Sequence, residues 1–372
     1  MAPSVPGVNS ESIYRVYWLY WRLLAVDLKW HPVFRLPLDI LINFLVTLWY
    51  PLLLLIELVS QTSMGILFKN LPITTACIFC SFKIICFRWK LPQIKKIQKL
   101  LEELDKKAVS EEECQYFETK TRRGANVVLK TFLVFYSSTI ISSTGLILLG
   151  NERELLYPAW FPYDVQASAF NYWLSFLYQS IGGSFIVVQN LINDTYVPMT
   201  LCVLSGHVKM LSMRMNKMDT KETLIAGIED HRKLIEIIGL LRQTLSLPQL
   251  GQFISSGINL STVLLYIVFF ADNILDIVIY VVHFLAIALE LFPACYYGSV
   301  LTMEFYELTY AIFSSDWIGK NRQYCSSLLI LMQLTLREVT IKAGGMVIIG
   351  MNAFFTNMRM AYSLFTLAMT FK

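Results

Sequence analysis

The chain has 372 residues, of which 55% are hydrophobic and 16% charged, and its formal net charge is +4. A mean hydropathy of +0.53 lies well above the range of soluble globular domains, so the sequence predicts an all-α, polytopic membrane protein. The small basic excess sits in a few segments and gives no sign of a nucleic-acid partner, and the charges among the first thirty residues argue against a cleavable signal peptide.

Seven apolar segments are predicted to cross the bilayer, whose hydrocarbon core takes about 20 helical residues. The first six are residues 40–56, 71–87, 131–150, 165–193, 243–271 and 277–303, and the seventh opens near Gly345. Lys83 lies near the end of the second segment, where a lysine can extend to the interface. A further run, residues 323–336, is too short to cross and suits a buried or interfacial helix.

The basic residues predict the orientation of these spans. If the N-terminus is cytoplasmic, the outer segments keep only Lys69, Arg153 and Lys372, while the inner segments hold most of the other lysines and arginines. This asymmetry favours a cytoplasmic N-terminus and an extracellular C-terminus. A seven-helix G-protein-coupled receptor has the reverse orientation.

The two long inner loops, residues 88–125 and 205–252, contain amphipathic helical patterns. Their apolar residues recur among charged ones: Ile94, Ile97, Leu100, Leu101 and Leu104 in the first, and Leu234, Ile235, Ile237, Ile238 and Leu241 in the second. We expect the spanning helices to extend into the cytosol and pack there as an anchor bundle shared between subunits. Helices that lie flat on the membrane are the alternative.

These patterns divide the chain into four expected regions. Residues 1–36 form a cytoplasmic N-terminal segment, and residues 37–303 form a six-helix transmembrane, ligand-binding bundle with its long inner loops. Residues 304–342 contribute to the cytoplasmic anchor, and residues 343–372 form the last helix.

The last helix carries a polar stripe at helical spacing. The stripe consists of Asn352, Thr356, Arg359, Ser363, Thr366 and Thr370. The opposite face is apolar and consists of Phe354, Met358, Ala361, Phe365 and Ala368. Asn357 is a polar residue that does not fit this pattern. Such a stripe could line a water-filled path if several copies meet, or it could serve packing within the bundle. Arg359 does not suit a cation pore unless it faces a neighbouring helix or a wide vestibule.

Residue patterns that support catalysis are missing from the sequence. The four histidines are scattered, and no HExxH, P-loop or GxSxG arrangement occurs, so we expect neither an enzyme nor a cofactor or metal site. Cys77 and Cys80 lie inside an apolar helix, where packing is a better explanation than redox or metal chemistry. Glu290, within the sixth span, serves either an interhelical contact or gating.

Several short motifs, taken in order, resemble the insect odorant receptors over essentially the whole chain. They include Asp194-Thr195-Tyr196 with Met199, Asp230-His231, the run from Phe292 to Gly298, Ser315-Asp316-Trp317, Ala343-Gly344-Gly345, and Arg359 before Tyr362-Ser363. The related gustatory receptors end in a Thr-Tyr pair followed by Gln-Phe. This chain has Ala361 before Tyr362 and no Gln-Phe, which favours the odorant branch.

The resemblance implies a ligand-gated, nonselective cation channel in the plasma membrane of a sensory-neuron dendrite. Family members assemble as heterotetramers in which an odorant-tuned subunit pairs with a shared co-receptor, and the last helix lines the pore. This chain lacks the co-receptor's longer second inner loop, so it resembles a tuning subunit. A metabotropic, G-protein-coupled receptor and a transporter are the other function classes considered.

The resemblance also implies where a small volatile ligand binds and where the pore closes. In the family, odorants bind in the outer half of each subunit, which here gives Tyr136, Thr139, Ser142, Gly145, Leu149, Tyr178, Gly182, Tyr280, His283 and Phe284. A helix that merely faces its own bundle would look similar. The candidate gate is the outer end of the last helix, at Ser363, Thr366, Leu367 and Thr370.

Overall fold

The computed structural model describes residues 7–24, 32–108, 110–149, 155–271 and 273–370, without the side chains of residues 23, 32–36, 142–149, 275 and 276. Within these ranges the chain is almost entirely helical. The elements are α1 (Glu11–Leu23), α2 (Pro32–Ile42), α3 (Tyr50–Ser60), α4 (Met64–Trp89), α5 (Leu91–Asp105), α6 (Glu111–Tyr116), α7 (Arg123–Leu149), α8 (Ala169–Asn216), α9 (Lys221–Phe269), α10 (Ile274–Phe313), α11 (Arg322–Thr335), β1 (Lys342–Ala343), β2 (Val347–Ile348) and α12 (Met351–Met369).

Two π-helical stretches join neighbouring helices into longer ones. Asn43–Trp49 connects α2 to α3, and Phe117–Arg122 connects α6 to α7. The first spanning helix is therefore α2 with α3, and the other six are α4, α7, α8, α9, α10 and α12. Among the described residues, five of the seven are long and apolar enough to cross a membrane by length and composition alone. The remaining two, α8 and α12, carry more polar side chains.

Two helices are far longer than a bilayer requires. α8 has 48 residues and α9 has 49. At about 1.5 Å per residue each extends roughly 72 Å, more than twice the ~30 Å of a hydrocarbon core. Their inner halves must project beyond the membrane, as the sequence predicted.

The projecting halves form a packed bundle with the cytoplasmic helices. Ile97 and Leu101 of α5 are buried together with Ile237 and Leu241 of α9 in one hydrophobic core. The helix α5 thus packs on α9 and does not lie alone on a membrane surface. Of the apolar residues predicted to be buried here, Ile235 is the exception, because 39% of it is exposed.

The N-terminal helix α1 is part of the same core. The rings of Tyr17 and Tyr196 stack with their centroids 5.1 Å apart, and Trp21 and Phe87 are fully buried beside them. The Tyr14 hydroxyl donates to Thr200 Oγ1 at 3.2 Å. Aromatic packing therefore fixes the amphipathic N-terminal segment against α4 and α8.

Ion pairs reinforce the cytoplasmic bundle. The buried carboxylate of Asp230 accepts from Lys107 Nζ at 2.5 Å and from an Arg214 guanidinium nitrogen at 2.6 Å, so one acidic group ties α8, α9 and the end of α5. Lys209 on α8 donates to Glu307 on α10 at 2.6 Å, and this hydrogen bond raises the pKa of the Lys209 ammonium. Lys107 and Asp230 are 123 residues apart and Lys209 and Glu307 are 98 apart, so these two pairs join elements that are distant in sequence.

A short β-hairpin leads into the last helix. Gly344 and Gly345 adopt positive φ angles of 58° and 72° between β1 and β2, a backbone region that favours glycine. The Gly344 amide donates to the Ser246 carbonyl at 2.8 Å, which holds the turn against α9. The segment 323–336 forms α11, whose buried face includes Leu328 and Leu331, as expected of a helix too short to cross.

Candidate pore and ligand-binding residues

The polar stripe of α12 faces away from the rest of the chain. Asn352, Thr356, Arg359, Ser363 and Thr370 are exposed, and Thr366 is half-buried. The hydroxyls of Thr356, Thr366 and Thr370 donate to backbone carbonyls within the helix, at 2.8, 3.0 and 2.6 Å. Their oxygens still have lone pairs directed outward, so the face is polar without being bound to another described helix.

The opposite side of α12 packs on α9. Ala353, Ala361 and Ala368 are buried there, and Asn357 donates to the Phe253 carbonyl at 3.2 Å. Asn357 had no place in either sequence pattern, and this hydrogen bond to α9 explains it. The stripe and the packing face are therefore on different sides of the helix, as the periodicity predicted.

A glycine on α9 sets the distance between these two helices. A methyl group on Gly257 would come within 2.9 Å of Met360 Cε and 3.0 Å of Asn357 Oδ1. Small residues at such contacts let membrane helices approach closely. The position of α12 depends on this close approach.

An open cavity of about 1110 Å³ lies beside the inner end of α12. Its walls come from α9, α10, the hairpin segment and the start of α12, and they include the stripe residues Asn352 and Thr356. The first two polar positions of the stripe thus border a wide space. Arg359, one turn farther along, is exposed and has no ion pair among the described residues.

Tyr136, predicted in the ligand pocket, lies in a polar contact between helices. Its hydroxyl donates to Asp194 Oδ2 at 2.5 Å and lies 3.3 Å from Glu290 Oε1. Thr139 donates to the Phe135 carbonyl within α7 at 3.0 Å.

Three further candidates, Ser142, Gly145 and Leu149, lie on the last part of α7. The backbone of α7 continues through them to Leu149, and side chains in that part lie outside the described residues.

Tyr178 and Gly182 pack together against the first spanning helix. The Tyr178 hydroxyl donates to the Leu45 carbonyl at 2.7 Å, and the rings of Tyr178 and Tyr50 lie 6.0 Å apart. A methyl group on Gly182 would come within 2.8 Å of Tyr50 Cδ2. Gly182 therefore makes room for the Tyr50 ring, a partner that sequence periodicity could not identify.

The candidates on α10 lie in a third group. The rings of Tyr280 and Tyr266 stack 4.1 Å apart, and Tyr280 and Phe284 pack on the hydrophobic cluster of α9 and α12 that includes Ala361. His283 is exposed. The predicted pocket residues thus occupy three separate places, and the group on α10 borders the candidate pore helix.

A buried polar network connects residues that the sequence analysis did not combine. Lys83 on α4 donates to Asp194 Oδ1 at 2.8 Å and to Gln252 Oε1 at 2.6 Å, and both Lys83 and Asp194 are almost fully buried. The expectation that Lys83 extends to the interface is therefore wrong. The available signal was a lysine inside one apolar span and an aspartate directly after another, because such charges are costly in a membrane unless they are paired.

The family model described as 7tm Odorant receptor matches residues 63–362, which is most of the chain and contains five of its seven spanning helices in full and α12 in part. The chain belongs to the insect odorant receptor family. Among curated relatives, this receptor is 53% identical to odorant receptor 33b and 49% identical to odorant receptor 33a of Drosophila melanogaster, over 98% of each chain. These similarities confirm a tuning receptor as distinct from the shared co-receptor.

Solved structures show the same fold for this receptor. The olfactory receptor OR5 of Machilis hrabei superposes with a TM-score of 0.86 at 14% identity, over 98% of this chain and 100% of that one. The same protein in complex with eugenol also gives 0.86, at 13% identity. The predicted architecture is confirmed: seven transmembrane helices, a cytoplasmic N-terminus, an extracellular C-terminus and a cytosolic anchor bundle.

The functional class follows from the family. The receptor is an odorant receptor subunit of the ligand-gated channel type, and no comparison supports the alternative of a G-protein-coupled receptor. It belongs to a family of receptors and not of enzymes. The individual ligand and gate residues stay predictions.

Proposed function

We propose that this receptor binds a small volatile within its outer helix bundle and, together with a shared co-receptor, opens a central cation pore of which α12 forms one wall. The observation that carries the proposal is the polar face of α12, whose six positions extend over about 27 Å of helix, with Thr366 half-buried and the other five exposed. A heterotetramer would bring four such faces together. The expected location is the plasma membrane of a sensory dendrite.

The two ends of the stripe suit different tasks. At the inner end, Asn352 and Thr356 border the large cavity, which supports a wide vestibule through which ions pass to the cytosol. At the outer end, Ser363, Thr366, Leu367 and Thr370 share one side of the helix, with Leu367 54% exposed. A ring of leucine and threonine side chains would form a narrow, weakly polar gate there. Arg359 falls between these ends.

The ligand would act by shifting a population between closed and open states. Ligand binding would be transmitted to the pore helix through Tyr280 and Phe284, because these residues pack on the same hydrophobic cluster as Ala361 of α12. A volatile bound beside Tyr280 and Phe284 would favour the position of α12 in which the volatile makes the most favourable contacts with the receptor. The similar fold of a receptor solved with eugenol supports a small organic ligand of this kind.

The pore proposal is tested by recording currents from cells that express this chain with the co-receptor. A panel of volatiles identifies an agonist, and Thr366→Lys and Thr370→Lys are then compared with the wild type. A lysine in the pore repels cations, so unitary conductance and cation selectivity should change. Thr119→Lys, on the exposed cytoplasmic stretch after α6, is the matched control and should leave both unchanged. Unaltered currents from both α12 variants at normal surface expression would reject the pore wall.

The ligand proposal has its own measurement. Phe284→Ala and Thr139→Val should raise the half-maximal agonist concentration about tenfold, equivalent to the loss of about 1.4 kcal/mol of binding, with selectivity unchanged. A change in selectivity at constant half-maximal concentration would place these residues in the pore and not in the ligand site.

A further inference from the structure

Five spanning helices contribute one side chain each to the buried network. The residues are Lys83 on α4, Tyr136 on α7, Asp194 on α8, Gln252 on α9 and Glu290 on α10. Lys83 Nζ contacts Asp194 and Gln252 at 2.8 and 2.6 Å, and Tyr136 contacts Asp194 and Glu290 at 2.5 and 3.3 Å. Glu290 is half-buried and the other four are buried or nearly so.

The hydrogen-bond geometry constrains where the protons lie. A tyrosine hydroxyl has one proton to donate, and its 2.5 Å contact assigns that proton to the Asp194 carboxylate. One proton cannot serve both carboxyl groups, and Asp194 is the nearer acceptor. The 3.3 Å contact between the Tyr136 oxygen and Glu290 Oε1 is then left without a proton unless the Glu290 carboxyl supplies one.

The charges of the surrounding groups lead to the same assignment. The ammonium of Lys83 compensates Asp194, and the other side chains around the network are neutral: Tyr136, Gln252, Ser256, and Cys80 with Gln189 at its α4–α8 edge. An ionised Glu290 would leave one uncompensated negative charge in a membrane-spanning segment. Such charges are costly enough that they usually pair or become neutral.

We propose that Glu290 holds a proton in the folded receptor, which makes the network a proton-binding site that ties α10 to α7. With the proton bound, the Glu290 carboxyl on α10 donates to the Tyr136 oxygen on α7, and the cluster carries no net charge. Loss of the proton removes that donor and places a second carboxylate near Asp194, where both compete for the single Tyr136 proton, so the contact between α7 and α10 weakens. The proposal concerns the folded subunit and does not depend on the pore or on the ligand.

Infrared difference spectroscopy of the purified full-length chain in lipid nanodiscs tests the protonation directly. A protonated carboxyl has a C=O stretching band that a carboxylate lacks, and this band shifts in D₂O. The spectrum of the wild type minus Glu290→Gln at pH 7 should contain it, and the spectrum of the wild type minus Glu338→Gln, an exposed control, should not. Absence of the band from the first spectrum would overturn the proposal.

Stability against pH supplies the second measurement. Glutamine mimics the neutral carboxyl, so Glu290→Gln should fold and should be at least as thermally stable as the wild type at pH 7, because wild-type folding at that pH takes up a proton that the ionised glutamate of the unfolded chain lacks. Raising the pH should lower the melting temperature of the wild type by more than that of Glu290→Gln. A glutamine variant that does not fold, or one with the same pH profile as the wild type, would contradict a neutral Glu290.

A third variant tests whether the Glu290 carboxyl donates its hydrogen bond to Tyr136. Tyr136→Phe removes the acceptor oxygen but not the burial, so the protonated band should persist at a higher frequency, as expected for a carboxyl that has lost a hydrogen bond. An unshifted band would show that Glu290 does not donate to Tyr136.

Discussion

In their membrane-spanning parts, helices α8 and α12 are the two most polar of the seven spanning helices, yet their polar residues face opposite ways. In α8, Gln189, Asn193 and Asp194 are buried and bonded within the subunit. In α12 the polar stripe is exposed and has no described partner on another helix. Polar residues in a membrane helix therefore mark either an internal network or an assembly surface, and only their direction tells the two apart.

The difference has an energetic consequence. The polar groups of α8 are satisfied before any partner arrives, so they stabilise the fold of the single subunit. Those of α12 contribute little to that fold and are satisfied by water or by neighbouring subunits. Substitutions in the two sets should accordingly affect different measurements: thermal stability for α8 and its partners, and current for the α12 stripe.

The largest effect is expected from Lys83→Met. The substitution leaves the Asp194 charge buried without its partner, which costs about 3–5 kcal/mol in comparable buried pairs. We expect most of the monodisperse fraction of the purified receptor to disappear in a fluorescence-detected size-exclusion assay after mild heating.

Two variants control this experiment. Lys96→Met breaks an ion pair with Glu236 that is about half exposed, and pairs of that kind contribute at most about 1 kcal/mol. The double variant Lys83→Met with Asp194→Asn removes both charges and should recover part of the lost stability. A single variant as stable as the wild type would show that α8 is not held by this pair.

An intermediate effect is expected from Gly298→Ala on α10. The new methyl group would lie 2.3 Å from the backbone carbonyl oxygen of Ile349, which cannot rotate away, so the segment leading into α12 must move. We expect a loss of about 1–3 kcal/mol, measured as a lower melting temperature. Gly239→Ala on α9 has no atom within 4 Å of the added methyl and should be neutral or up to about 1 kcal/mol more stable.

The smallest effects are expected from two substitutions that compare the packing face of α12 with its exposed face. Asn357→Ala removes the hydrogen bond to the Phe253 carbonyl and should cost about 1 kcal/mol of subunit stability. Asn352→Ala, five residues earlier and exposed, should change stability by less than about 0.5 kcal/mol. Equal losses of melting temperature would remove the distinction between a packing face and an open face.

The fold was largely predictable because its signals are local. Hydropathy located the spans, the distribution of basic residues gave their orientation, and the 3.6-residue period identified both the apolar face of α5 and the stripe of α12. The domain divisions stay a prediction: α10 runs without interruption from Ile274 to Phe313, so the boundary expected at residue 303 falls inside one continuous helix.

The side-chain partners could not be read from periodicity. Lys83 and Asp194 are 111 residues apart, and Tyr50 fills the space above Gly182 from a different helix. Periodicity shows which side of a helix is apolar, but the identity of a partner depends on the rotation and crossing of two helices. Tyr136 shows the limit: its place on α7 was predictable, but its hydrogen-bond partners Asp194 and Glu290 were not, and its role in ligand binding stays a prediction.

The exposed Arg359 has a consequence for how the receptor is made. A subunit that reaches the membrane without partner subunits holds an arginine and a row of hydroxyls against lipid, and an arginine at mid-membrane costs at least about 2.5–3.5 kcal/mol. Under the proposed function, assembly around a water-filled pore would remove that cost. The same surface that would conduct ions would thus distinguish an unassembled chain from a finished complex.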